Sequence, residues 1–88
     1  MNKTLASLKP GESGSLVKIE GENRLRQRLT EMGFIKGTVV GVDSTAPFGD
    51  PRSYSIRGYQ ISLRNAEAEQ IIINQDRVMQ SAVKENVG

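Results

Sequence analysis

The sequence predicts a small, mainly β domain in which about five short strands close into a barrel beside a single helix. The 88 residues contain several short runs of alternating apolar residues, but only one clear stretch with helical spacing. Glycines and prolines separate these runs, as expected of turns. A chain this short buries only about 60–65% of its extended surface. It cannot supply the covering layer that a flat five-stranded sheet needs, and closing the strands into a barrel avoids that need.

The N-terminal segment predicts a turn followed by the first strand. Leu5 and Leu8 frame the turn, and a Lys-Pro-Gly sequence closes it. Residues 13–19 then alternate as a strand, with Leu16 on the opposite face from Val17.

Residues 22–32 predict the helix. Leu25, Leu29 and Met32 recur at i, i+4 and i+7, which places them on one apolar stripe. Asn23 is the predicted N-cap, because its side-chain oxygen can accept a hydrogen bond from a free backbone N–H.

The end of the helix carries a second signal. Gly33 stands where a left-handed residue terminates a helix, and Phe34 follows it. In a Schellman ending, Phe34 packs back on Leu29.

The second half of the chain alternates between strands and turns. Tyr59, Ile61 and Leu63 share one face by alternation, which predicts that all three face the core. Residues 1–75 form the predicted domain, and residues 76–88 form a polar tail, either a short helix or disordered. The predicted elements are strands at 38–44, 53–57, 59–64 and 70–74, and one helical turn at 65–69. This pattern fits an SH3-like or an OB-like barrel and does not choose between them.

Composition excludes several classes of function. The chain has no cysteine and no histidine, so it lacks thiolate and imidazole metal ligands and the usual general base. No phosphate-binding glycine motif occurs, and no serine has a histidine to activate it. The sequence therefore predicts no enzyme, no catalytic residue, no metal site and no cofactor.

The net charge of +2 is too small to draw the chain onto nucleic acid by itself. A cytoplasmic protein is expected, because no apolar run is long enough to span a membrane.

The helix carries the densest basic cluster. Arg24 and Arg28 lie on one flank of the apolar stripe, and Arg26 lies on the other. Arg28 can pair with Glu31 at i+3. Two interpretations stand: the arginines contact phosphate or an acidic patch on a partner, or they are solvated side chains whose stems cover the edge of the core.

The loop at residues 46–51 reads Ala-Pro-Phe-Gly-Asp-Pro. Pro47 and Pro51 stiffen it, and Phe48 lies near its tip. An aromatic on a rigid loop buries much area at little entropic cost, so these three residues are predicted partner contacts. The alternative is that Phe48 folds inward and fills the end of the barrel.

A nucleic-acid interface is the remaining alternative. Such an interface needs basic residues interleaved with exposed aromatics. Phe48 and Tyr54 beside Arg52 and Arg57 are the candidates that the sequence offers.

These residues together resemble the FeoA family of small proteins of bacterial ferrous-iron uptake. The resemblance runs from Leu5 to Asn74. It is carried by the Leu-Lys-Pro-Gly sequence at residue 8, the helix exit at 28–38, the loop at 46–51 and the segment 61–68, in that order.

The resemblance implies an SH3-like barrel of about five strands, with the helix inserted after the first. It also implies an accessory protein that binds the cytoplasmic GTPase region of the membrane transporter FeoB, and contact with the membrane only through that transporter. Binding of transition-metal ions is also ascribed to the family. An alternative is that an arginine, with Arg28 as the candidate, stimulates GTP hydrolysis in trans. No nucleic-acid partner is expected, and the oligomeric state is left open.

Overall fold

A computed structural model describes residues 2–43 and 49–75 of the chain. Pro47, Phe48 and the predicted tail at 76–88 lie outside the described residues. Two helices and a 3-10 turn accompany the strands: α1 (Asn23–Glu31), α2 (Asn65–Ala68) and the turn at Leu5–Ser7. The strands are β1 (Asn2–Thr4), β2 (Ser13–Ile19), β3 (Val39–Val42), β4 (Arg52–Ile56), β5 (Tyr59–Leu63) and β6 (Ile71–Asn74).

The strands form one antiparallel sheet in the order β1-β6-β2-β3-β4-β5. The predicted mainly β fold is confirmed, and one strand is added. β1 has only three residues and pairs with β6, so its two exposed polar residues leave no alternating pattern to detect. Counting β1, helix α1 follows the second strand rather than the first. Strands β1 and β5 are not hydrogen-bonded to each other, so the sheet keeps two edges.

The sheet encloses one hydrophobic core to which almost every element contributes. Val40 and Val42 point inward together from β3, and in β2 the inward face is that of Leu16, opposite Val17. The buried apolar side chains are Leu5, Leu8, Leu16, Leu29, Phe34, Val40, Val42, Tyr54, Ile56, Leu63, Ala68, Ile71 and Ile73.

The end of α1 is the predicted Schellman motif. Gly33 has a φ of +106°, its N–H donates to the Thr30 carbonyl, and the Phe34 N–H donates to the Leu29 carbonyl at 3.0 Å. The predicted N-cap was wrong. Glu22 occupies that position, and the Asn23 side chain instead accepts a hydrogen bond from Arg26 within the helix.

A two-residue turn joins β4 to β5. Arg57 and Gly58 both have positive φ, at 52° and 90°, which is the backbone of a type I′ hairpin. Tyr59 lies on the core face of β5, opposite the buried Ile56, as its alternation predicts, but its side chain is 47% exposed. Tyr59 lies on an edge strand, where no further strand covers it. Its hydroxyl donates to the Met32 carbonyl at the end of α1, at 2.5 Å.

Arg52 is the one buried charged residue among residues 2–43 and 49–75, at 5% exposure. Its Nη1 donates to the Leu8 carbonyl at 2.9 Å, and its Nη2 donates to the Ala6 carbonyl at 3.2 Å. The guanidinium also donates to the hydroxyl of the fully buried Tyr54 and lies 5.3 Å from the centre of its ring. The surface role considered for Arg52 and Tyr54 is therefore wrong. Arg52 ties the segment after β1 to β4, two regions far apart in the strand order.

Candidate partner-binding surface

The two flanks of α1 face different surroundings, as its helical spacing predicts. Arg24 and Arg28 line a surface groove between α1 and α2, and Arg26 lines a second groove between α1 and β2. Arg24 makes no hydrogen bond or ion pair with any other described residue. Its charge is therefore available to a partner.

Arg28 is held by α2. Its Nη2 lies 2.5 Å from the Glu67 Oε2, across 39 residues of sequence. The side chains are 53% and 24% exposed, so this is a half-solvated pair of modest strength. The predicted pairing of Arg28 with Glu31 was wrong. A long-range carboxylate takes the guanidinium that local spacing assigns to the helix.

Glu67 is fixed at both carboxylate oxygens. Its Oε1 accepts the backbone N–H of Arg64 at 3.0 Å, which is the carboxylate half of a capping box at the start of α2. The hydrogen bond from Arg28 is the main cause that holds the pKa of Glu67 below its ordinary value, and the Arg64 N–H adds to it. The carboxylate therefore stays ionised and keeps Arg28 in place at neutral pH.

The end of the proline-containing loop attaches to the same short helix. The Asp50 Oδ1 accepts the Asn65 N–H at 3.0 Å, and the Gly49 carbonyl accepts from the Asn65 side-chain amide at 3.3 Å. Pro51 follows and is exposed. Helix α2 thus connects Pro51 to Arg28, two residues that the sequence proposes separately.

We use the name α2 surface for the region formed by Arg24, Arg28, Pro51, Asn65 and Glu67. Its groove has a volume of about 540 Å³. Both arginines and two glutamates line it, and the half-buried Leu25 supplies an apolar floor. Mixed charge around an apolar centre suits a protein partner better than a phosphate backbone.

Sequence reasoning missed two residues that shape this region. Glu67 looks like a solvated turn residue in the sequence, and the capping-box signature does not find it, because Arg64 has no side-chain acceptor where that motif has Ser or Thr. Arg52 reads as a surface cation. Extending the inward alternation of Ile56 and Tyr54 back by two residues would have placed it in the interior.

Within residues 2–43 and 49–75, no three acidic side chains come close enough together to hold a metal ion. In the same part of the chain, neither helix has the length and apolarity required to cross a membrane.

The Arg28–Glu67 pair predicts a specific pH dependence. A carboxyl group whose pKa is lowered by folding stabilises the fold above its unfolded pKa, and this contribution is lost as the pH falls through the folded pKa. At about pH 6 we expect wild type to be more stable than Glu67→Gln by up to about 1 kcal/mol. Urea unfolding at about pH 6 and about pH 3 checks this, since the difference should shrink at the lower pH.

The matched control is Glu31→Gln, because Glu31 forms no ion pair with Arg28 among the described residues. Its difference from wild type should change little over the same range. A Glu67→Gln difference that is unchanged at about pH 3 would contradict the assignment.

Comparison with known proteins places this geometry in a family. The family model described as the FeoA domain matches residues 3–75. A relative from Porphyromonas gingivalis (strain ATCC BAA-308 / W83) is described as an Fe(2+) transport protein A/Fe(2+) transporter FeoB fusion protein. It is 39% identical over 67 residues, which are 76% of this chain and 8% of the relative. The chain thus spans less than a tenth of that protein.

Solved structures agree in fold. The FeoA-like protein from Clostridium acetobutylicum has a TM-score of 0.74 and 30% identity, covering 84% of this chain and 86% of that one. FeoA from Stenotrophomonas maltophilia, in complex with zinc, is described as a prokaryotic SH3 domain protein. Its TM-score is 0.72 at 25% identity, covering 81% of this chain and 88% of that one. The FeoA domain model matches most of the chain, and solved FeoA structures have the same SH3-like fold over most of their length. This chain therefore belongs to the FeoA family.

Proposed function

We propose that this chain is a non-enzymatic accessory protein of ferrous-iron uptake that acts in the cytoplasm by binding the GTPase region of a FeoB-type transporter. The observation that carries the proposal is the Porphyromonas gingivalis relative, in which a region similar to this chain is fused to the transporter FeoB. Fusion holds two domains at high effective concentration, and this favours a direct contact between them. The Stenotrophomonas maltophilia protein is described as a candidate ferrous iron transport activating factor, which is a role of the same kind. Iron is the transported substrate in this scheme, and this chain does not carry it.

The α2 surface is the proposed contact region. Arg24 is exposed and unpaired among the described residues, and Pro51 presents a rigid apolar ring at the other end of α2. Pro47 and Phe48 precede Pro51 in the sequence, so their predicted contact role extends the same proposal. A partner can bury apolar surface against Pro51, and a charge pair with Arg24 can fix its orientation.

Arg24→Ala tests the proposal most directly. Titration against the isolated cytoplasmic region of a FeoB-type transporter, with and without guanine nucleotide, should show binding by wild type. We expect Arg24→Ala to weaken it by about fivefold to tenfold, because a charge pair at the interface is lost. Arg26→Ala is the matched control, since Arg26 lies on the opposite flank of the same helix, and it should change the affinity less than about twofold.

No binding by wild type in any nucleotide state would overturn the proposed function. Equal losses for Arg24→Ala and Arg26→Ala would instead point to a long-range charge effect and remove the α2 surface as the contact region.

The alternative of an arginine acting in trans stays a prediction. Arg28 is engaged by Glu67, so it would have to break that ion pair to reach a bound nucleotide.

The nucleic-acid alternative loses two of its candidate residues. Arg52 and Tyr54 are buried, and Tyr59 is the one exposed aromatic among the described residues.

A further inference from the structure

Strand β5 is an edge of the sheet with one open side. It pairs with β4 in a register that sets Ile56 opposite Tyr59, Tyr54 opposite Ile61 and Arg52 opposite Leu63. No strand of residues 2–43 and 49–75 pairs with its other side.

The hydrogen-bond pattern identifies the groups that face outward. In a two-residue hairpin the residues flanking the turn, here Ile56 and Tyr59, bond to each other, and the bonded pairs then alternate. The Asp43 N–H donates to the Ser53 carbonyl at 3.1 Å, which confirms that the Ser53 backbone points toward β3 and not toward β5. It follows that the N–H and C=O groups of Gln60 and Ser62 point away from β4.

The β5 edge lacks the features that usually block strand addition. Its sequence is Tyr-Gln-Ile-Ser-Leu, with no charged residue, no proline and no glycine. Its register with β4 runs without a bulge over all five residues. On the core side of this edge, Tyr59 is exposed and Ile61 is only partly buried. An added strand would cover both side chains.

Charge at the ends of β5 defines the occupant. Arg57 and Arg64 flank the uncharged strand, and both are exposed. A second copy of this chain fits poorly, because the antiparallel register that uses all four outward backbone groups is centred on Ile61. That register sets Arg57 of one copy opposite Asn65 of the other and Arg64 opposite Gly58, so arginines of the two copies lie one position apart at both ends. A strand with acidic residues at its ends has the complementary charge.

We propose that the β5 edge binds an extended segment of a partner protein by strand addition. The segment alternates apolar and polar residues over its centre and carries acidic residues at its ends. The inference rests on the proposed function, in that the segment belongs to the cytoplasmic region of the FeoB-type transporter. Its apolar side chains pack beside Tyr59 and Ile61, and its backbone pairs with Gln60 and Ser62.

Ser62→Pro tests the proposal, because it deletes one outward N–H and leaves the bonds to β4 in place. Ser62→Ala is the matched control, since it keeps that N–H. In titrations against the same cytoplasmic region, we expect Ser62→Pro to bind at least about tenfold more weakly and Ser62→Ala to bind within about twofold of wild type. Arg57→Glu should also weaken binding, and Arg57→Lys should preserve it.

Amide hydrogen exchange on wild type gives a second readout that does not depend on how any variant folds. In the free protein the amides of Gln60 and Ser62 should exchange faster than those of Ile61 and Leu63, and binding should slow them. Tight binding by a folded Ser62→Pro, or binding without protection of these two amides, would overturn the inference and leave the proposed function intact. Failure of wild type to bind would overturn the proposed function and this inference with it. A wild-type dimer that Ser62→Pro dissociates would show that the occupant is a second copy, which also overturns the inference.

Discussion

Arg52→Ala should lower the free energy of unfolding by about 3 kcal/mol, which is a large share of the stability expected of so small a domain. The substitution removes the donor from the carbonyl oxygens of Ala6 and Leu8 and from the Tyr54 hydroxyl. Each is left without its partner in or near the core, and unpaired buried groups cost about 1–3 kcal/mol each. The lost side-chain volume adds a cavity term.

The position of Arg52 explains the size of this effect. Its guanidinium joins the segment after β1 to strand β4, and β1 and β4 are not neighbours in the sheet. The planar fork reaches three oxygens at once, whereas a lysine ammonium is a single point. We therefore expect Arg52→Lys to recover only part of the lost stability.

Urea unfolding of the three proteins provides the measurement. Arg24→Ala is the matched control, because Arg24 is exposed and makes no contact of this kind, so its cost should stay below about 0.5 kcal/mol. A cost below about 1 kcal/mol for Arg52→Ala would mean that water replaces the guanidinium and that the bridge does not stabilise the fold.

Leu29→Ala carries the second large effect, a loss of about 3 kcal/mol. Leu29 is fully buried and packs in the same core cluster as Phe34. Its backbone carbonyl also accepts the Phe34 N–H in the helix ending, so a change in its packing reaches the segment that leads into β3.

The control is Leu25→Ala, one turn earlier on the same helix. Leu25 is only partly buried against the core, so the same chemical change should cost about 1 kcal/mol. Thermal or urea unfolding of both variants distinguishes them. Equal costs would show that the stripe on α1 packs uniformly and that the depth of Leu29 is not decisive.

The functional proposal combines these elements into one surface. The same fold that buries Leu29 orients Arg24 and Arg28 outward, and α2 joins Arg28 to the region of Pro51 through Glu67 and Asn65. The β5 edge offers backbone groups between two flanking arginines, Arg57 and Arg64, and its C-terminal end leads through Arg64 into α2. A partner could engage both regions, and the Arg24 and Ser62 variants separate their contributions.

Several elements could be predicted because their signals are local. The strand at Ser13–Ile19 and the helix ending at Gly33 depend on alternation and on a left-handed glycine, both properties of neighbouring residues. The family resemblance is likewise visible in the order of the motifs, and the FeoA domain match over residues 3–75 confirms it.

Other features depend on contacts between residues far apart in the chain. Arg28 is 39 residues from Glu67, and Arg52 is 44 residues from Leu8. Local rules assign the first to Glu31 and the second to the surface, and both assignments were wrong because burial and long-range partners override sequence spacing.

The chain by itself determines a mainly β domain with one main helix that ends at Gly33, no histidine or cysteine chemistry, and membership of the FeoA family. Tertiary structure alone decides that Arg52 is an internal bridge, that α2 joins Pro51 to the arginine flank of α1, and that β5 keeps an open edge. The physical reason is the range of the interactions. Backbone conformation and apolar periodicity act over a few residues, whereas hydrogen-bond satisfaction and burial are settled only when distant segments meet.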